Sequence, residues 1–298
     1  MRLPYAQLMT ARSELLVTAA ELAAIVRAEA DLPPGAPRTR VLHLNWTPVA
    51  PTGEATIIEG HIPGAVKVDS ETELAAHGPA TLGRHPLPGA EAITASARSW
   101  GLHPGDSVVA YDTDGNLGAA RLWWMLKDAG FSRVRLLDGG LAAWSEAGLP
   151  LETEDTPQPE PGTVTLTPGR MPRLELDEVA QFARDHVLLD ARSQARYAGE
   201  TEPIDPVAGH IPGAHSLPTI NNIDAEGYFL GDEALADQFE AAGASKDVRV
   251  GVYCGSGVTA SHEIFALALA GVEAALYPGS WSQWSNHPDL PVAVGSMP

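Results

Sequence analysis

A single cysteine, Cys254, stands among 298 residues, which excludes an intramolecular disulfide and a zinc site built on several thiolates. Positive charge is scarce: 19 Lys and Arg against 38 Asp and Glu leave a formal net charge of −19. Such a surface repels nucleic-acid phosphates and anionic lipid, so neither is an expected partner, and an anionic substrate needs a local patch of positive potential. Long apolar runs are also missing, and none approaches the roughly 18 residues that span a bilayer. The N-terminus MRLPYAQLMTARSELL has no unbroken apolar stretch and no small-residue cleavage site. The expectation is a cytoplasmic protein with no membrane contact, no metal and no organic cofactor.

What is present is a repeat. GHIPGA occurs at residues 60–65 and again at 209–214. SVVAYDTDG (107–115) resembles VRVGVYCGSG (248–257), each an apolar run ending in a polar, glycine-bearing turn. Helical segments follow, GAARLWWMLKDAG at 118–130 and TASHEIFALALAG at 259–271, and then RVRLLDGGLAAW (133–144) matches EAALYPGSWSQW (273–284). The offsets vary between 140 and 149 residues, as in a duplicated domain with altered loops rather than a solenoid. Residues 152–169 hold four prolines and four acids and read as an extended, solvated linker between domains at 1–151 and 170–298.

In each half, near-continuous apolar strands alternate with helices, the pattern of a mainly parallel sheet covered on both faces. The fold class expected is α/β, in two tandem domains. Thr18 and Glu21 form a capping box that opens the first helix.

The chemistry concentrates at Cys254. The turn from Cys254 through Gly255, Ser256, Gly257, Val258 and Thr259 follows a buried strand, where ligands bind in open α/β sheets. Two glycines let the backbone curl so that successive amides point inward, and a helix N-terminus lies behind them. Such a nest favours the thiolate, the nucleophilic form. The plain alternatives are a buried small hydrophobe and an ordinary strand-to-helix turn. Phosphatases use a comparable loop with an arginine six residues after the cysteine, but here that residue is Ala260 and the loop holds no cation. A smaller anion, a persulfide, suits it better.

Over nearly its whole length the sequence resembles the tandem-domain rhodanese family of sulfurtransferases, on CGSGVTA after a strand, GHIPGA in both halves and LLDGGLAAW in the first. YDTDGNLGAARLWWML resembles the non-catalytic first domain of that family, with Asp112 in the cysteine's place. The resemblance implies that Cys254 takes sulfur from a small donor as a persulfide and passes it to cyanide, a small thiol or a protein thiol. It implies Arg196 for the donor's anionic group, with Arg192 as a weaker candidate and Asp190 to orient the arginine. It also implies a relay from Ser256 to a histidine of the first domain. His61 is the candidate, with Glu54 and Glu59 the only acids near it, whereas His210 is expected to position its turn. Trp123, Trp124 and Trp144 read as core or inter-domain packing, and Trp281 and Trp284 as packing or as walls of the cleft.

Two features pull the donor apart. The CGSGVT loop resembles mercaptopyruvate sulfurtransferases. Yet 197–210 has no basic residue except His210, and position 205, where those enzymes carry a second arginine, is Asp. One arginine favours thiosulfate over a 2-oxo acid, so thiosulfate is the expected donor and 3-mercaptopyruvate the alternative. A non-enzymatic sulfur carrier or binding module is the reading from another class.

Overall fold

The computed structural model describes residues 12–33, 35–45 and 59–298. Its apolar runs form two sheets. In the first, β1 (Leu16–Val17), β2 (Thr39–Asn45), β3 (Val66–Asp69), β4 (Ser107–Tyr111) and β5 (Val134–Leu137) lie in the order β1-β5-β4-β2-β3. In the second, β6 (Val187–Asp190), β7 (Ala214–Ser216), β8 (Val250–Tyr253) and β9 (Ala274–Leu276) lie in the order β7-β6-β8-β9. Every pairing among these nine strands is parallel. The central strands β4 and β8 are buried along nearly their whole length, as an unbroken apolar sequence requires. The α/β class read from the alternation is the one that forms.

The repeat extends to hydrogen bonds. Tyr111 and Tyr253, the last residues of β4 and β8, accept the amides of Ile62 at 3.0 Å and Ile211 at 3.2 Å. His61 and His210 bridge in antiparallel fashion to the tails of their own domains, at Glu152 and Ala293. Trp144 and Trp284 donate to the carbonyls of Pro150 and Pro291, at 2.8 and 2.9 Å. Each GHIPGA turn is thereby pinned between a central strand and the end of its domain.

The helices that follow β4 and β8, Ala119–Asp128 and Thr259–Leu269, carry the junction between the domains. Trp123 meets the Phe265 ring edge-on, with centroids 4.9 Å apart, a contact worth about 1 kcal/mol beyond its burial. One apolar cluster includes Trp124 and Leu126 of the first helix with Ile264 and Phe265 of the second. Trp281 and Trp284 are fully buried and pack in the second domain's core rather than walling a cleft.

Two local expectations need correction. The linker is extended but not simply solvated: Val164 and Leu166 are buried, and Gly162 and Val164 donate to the carbonyls of Arg98 and Leu102. Its alternating apolar residues lie down on the first domain. The Thr18 capping box forms, but on the helix Ala19–Glu29, which a one-turn helix at Arg12–Leu15 precedes. Among the described residues no helix is long and apolar enough to cross a membrane.

Candidate active site

Cys254 is the first residue after β8, and only 1% of it is exposed. Its backbone is fixed at both ends. The amide donates to Ser280 Oγ at 3.1 Å, and the carbonyl accepts the Trp281 amide at 3.0 Å. The loop then turns back on the sulfur, and the Gly257 amide donates to Cys254 Sγ at 3.1 Å. Gly257 sits at φ +80°, and a β-carbon there would lie 2.3 Å from the Pro278 carbonyl oxygen, so only glycine fits. The amides of Gly255, Ser256, Val258 and Thr259 donate to no group among the described residues. The loop therefore presents one amide bonded to sulfur and several uncommitted donors beside it.

The equivalent loop of the first domain contains its own anion. Asp112 follows β4 as Cys254 follows β8, and its carboxylate accepts from the amides of Asp114, Asn116, Gly118 and Ala119 at 2.7–2.9 Å. Burial pushes this carboxyl up, and the four amides pull it back. The same backbone geometry thus accommodates a carboxylate in one domain and a thiol in the other.

Ser256 engages a histidine, but not the expected one. His85 Nδ1 lies 2.7 Å from Ser256 Oγ, and its Nε2 lies 3.1 Å from Glu71 Oε2. With Nε2–H donated to the carboxylate, Nδ1 accepts the serine hydroxyl. Burial holds the imidazole below its ordinary range, against the upward pull of Glu71. His61 is committed elsewhere, with Nδ1 at 2.9 Å from the Ile62 carbonyl and Nε2 at 2.9 Å from that of Glu154. It secures its turn and does not reach the serine. Glu59 is exposed, and Glu54 lies outside the described residues.

The arginines also redistribute. Asp190 does not orient Arg196. It binds Arg192, with contacts of 2.6–3.1 Å, and the same guanidinium donates to the Gly209 carbonyl and lies 4.7 Å from the Trp281 ring. Arg192 is fully enclosed by these partners and supports the base of the site rather than facing a donor. Arg196 binds Glu202 through Nε and Nη2, and Asp205 at 3.2 Å. Asp205 also accepts from Arg84 of the first domain. Burial pushes the Asp205 carboxyl up, and Arg84 opposes that shift.

Arg121 is the one charge in the otherwise apolar AARLWWML, and it is buried. Burial pulls it down to about 10, which leaves it cationic at neutral pH, and the neighbouring Cys254 works against that fall. That isolated charge is the signal by which a reading of the sequence could have found it. His85 and Arg84 lie on an irregular segment and Glu71 on the one-turn helix Ser70–Glu73, none with such a marker.

The domains clasp each other reciprocally. Arg84 of the first domain donates its amide to Ser282 Oγ of the second at 3.0 Å, beside the Cys254 loop. In return Ile223 of the second domain lies over the Asp112 loop, with Cδ1 2.5 Å from where a Gly115 β-carbon would stand. The Tyr228 ring likewise stands over Gly139, with Cε1 2.7 Å from where its β-carbon would stand.

Residues 53–147 and 175–287 each match the rhodanese-like domain. SseB of Mycobacterium tuberculosis, provisionally named a thiosulfate sulfurtransferase, is 43% identical over 97% of this chain and 100% of its own length. The 3-mercaptopyruvate sulfurtransferase of Escherichia coli K12 is 34% identical over 79% of this chain and 84% of its own. Among solved structures, the anaerobic ergothioneine biosynthesis enzyme of Chlorobium limicola superposes with a TM-score of 0.79 at 25% identity, covering 96% of this chain and 71% of that one. With both halves matched, the chain belongs to the rhodanese family of tandem-domain sulfurtransferases.

Proposed function

We propose that the chain moves sulfane sulfur from thiosulfate to a thiophilic acceptor, cyanide or a thiol, through a persulfide on Cys254. The observation that carries this reading is the Gly257 amide donating to Cys254 Sγ at 3.1 Å within a loop of uncommitted amides. The thiolate attacks the outer sulfur of thiosulfate, the S–S bond of the donor breaks, and sulfite leaves with the electron pair. The terminal sulfur of the new persulfide carries the negative charge, which the amides of residues 255–259 stabilise without a side-chain cation in the loop. Cyanide then takes that sulfur as thiocyanate and restores the thiolate. Arg196, beside Gly255, meets the donor's anionic end.

A second reading, with 3-mercaptopyruvate as donor, is favoured by the Ser256–His85–Glu71 chain. Loss of sulfur from that donor gives pyruvate, and a proton must travel from the thiol to the methyl carbon. Thiosulfate needs no such transfer. A neutral imidazole bonded to a hydroxyl in the loop is suited to carry that proton.

The test is steady-state kcat/KM for thiosulfate and for 3-mercaptopyruvate with cyanide as acceptor, on the parent and on Cys254→Ser. The serine variant loses transfer from both donors and keeps its fold; substantial residual turnover would remove the persulfide mechanism. Preference for one donor in the parent selects between the two readings. Sulfur accepted only from a partner protein would make the chain a carrier.

A further inference from the structure

Resting on the Cys254 reading above, we infer that Ser280 is a positioning residue for the sulfur transfer: a hydroxyl kept in strained backbone because it aims the thiol. Ser280 is wholly buried and stands in the left-handed region at φ +52°, where a β-carbon is disfavoured. Its counterpart in the first domain is Gly140, at φ +56°. The two turns correspond in register. The Leu141 amide donates to the Asp112 carbonyl and the Trp281 amide to the Cys254 carbonyl, both at 3.0 Å. A β-carbon on Gly140 would lie 2.6 Å from that Asp112 oxygen. The first domain avoids the crowding with glycine, whereas the catalytic domain carries a side chain at the same point of the turn.

The hydroxyl accounts for the difference. Its single proton goes to the Tyr277 carbonyl at 2.9 Å, a group that can only accept, so its oxygen faces the Cys254 amide as acceptor, at 3.1 Å. With its N–H on Ser280 and its carbonyl on the Trp281 amide, Cys254 has both flanking peptide planes fixed, and the direction of its Cα–Cβ bond follows. The first domain caps the carbonyl that corresponds to Tyr277, that of Leu137, by another route. Asn116 reaches it from within the loop, with Nδ2 at 2.7 Å. Among the described residues no side chain of 255–259 reaches the Tyr277 carbonyl; the cap has moved from the loop to the turn behind it. The catalytic loop thus has no counterpart of the Asn116 arm, and its amides are left to the sulfur. Attack on a sulfane sulfur needs the thiolate in line with the bond that breaks, whichever donor brings it. A loosened Cys254 therefore slows the chemical step for both donors and leaves their binding alone.

The experiment compares Ser280→Ala and Ser280→Gly with the parent. It reads single-turnover persulfide formation at saturating donor, KM for thiosulfate and for 3-mercaptopyruvate, and the melting temperature. Both variants lack the hydroxyl, but only glycine relaxes the backbone. Persulfide formation is expected to slow by about tenfold or more in both, with KM for each donor within twofold of the parent. The glycine variant should melt above the alanine variant. A residue of purely structural importance would instead make rate follow stability, with the glycine variant the faster. Should Ser280→Ala fail to fold, Ser280→Gly carries the test. Persulfide formation in Ser280→Gly within twofold of the parent would overturn the inference, as would a loss confined to KM. The persulfide reading fails separately, if mass spectrometry finds no added sulfur atom on the parental Cys254 after exposure to either donor.

Discussion

Arg121 of the first domain donates from Nη1 to the carbonyl oxygen of Gly257 in the second, at 3.2 Å. Its Nη2 donates to the carbonyls of His85 at 2.8 Å and Leu74 at 3.1 Å. One buried guanidinium therefore fixes the sulfur loop and the backbone of the histidine that meets it. Replacing Arg121 by Met strands three carbonyls, at a cost of about 3 kcal/mol in urea denaturation. Displacement of the loop should slow persulfide formation, followed by stopped flow, by about a hundredfold. A Met variant that is less stable yet reacts at the parental rate would limit Arg121 to holding the domains together.

His85→Ala is expected to lower kcat/KM for 3-mercaptopyruvate by about a hundredfold and to leave thiosulfate within about threefold. Only the first donor has a proton to relocate. The neutral imidazole accepts from Ser256, and burial holds its pKa below the ordinary value. Activity with 3-mercaptopyruvate should persist on acidification past about pH 6.5 and fall only below it, as the ring gains its proton. A pH–rate profile with an acid limb at or above the ordinary histidine value would exclude His85 as the acceptor.

Asp190 and Arg192 form a buried pair, with a shortest contact of 2.6 Å. Asp190→Asn leaves the guanidinium with only the longer Glu202 contact, 3.4 Å from Nη1, and should cost about 3 kcal/mol, read as a lowered denaturation midpoint. Adding Arg192→Met to that variant should recover part of the loss, since no unpaired charge then stays buried. A double variant no more stable than Asp190→Asn would contradict the pairing.

Glu263 is fully buried on the helix Thr259–Leu269, with Asn222 Nδ2 at 2.7 Å from Oε2. Burial pushes its carboxyl up to about 7. The unfolded chain releases this proton near the model-peptide value of about 4.3, whereas the folded chain keeps it until about 7, so stability falls as pH rises between the two. Glu263→Gln should therefore raise the melting temperature at pH 8 relative to the parent, and do so much less at pH 5, for a differential of at most about 3 kcal/mol. Equal shifts at both pH values would mean the carboxyl is ionised throughout.

Much of this architecture is legible in the amino-acid order because it is local and repeated. The apolar runs ending in Tyr111 and Tyr253 announce central strands, and the glycines after Cys254 announce a loop that closes on the sulfur. The partners across the domains are another matter. His85 reaches Ser256 across 171 positions and Arg84 reaches Asp205 across 121, and nothing periodic marks segments whose only constraint is where another domain happens to lie. Proximity in sequence also misled: His61 sits in a repeated motif and so attracts a role, yet the repetition reflects a shared structural task, which His210 performs in the same way with its own domain's tail. Asp190 likewise lies six residues before Arg196 but binds Arg192, two residues on, because both leave β6 together at its buried end.

The reciprocal clasp bears on how the enzyme can be taken apart or rebuilt. Each half is the roof of the other, so the second domain expressed alone would hold its thiol in a loop open to water and peroxide, without His85 or Arg121 beside it. Installing a second sulfur site by Asp112→Cys meets the converse obstacle. Ile223 and Tyr228 already cover that loop, and no donor molecule could enter until they were cut back.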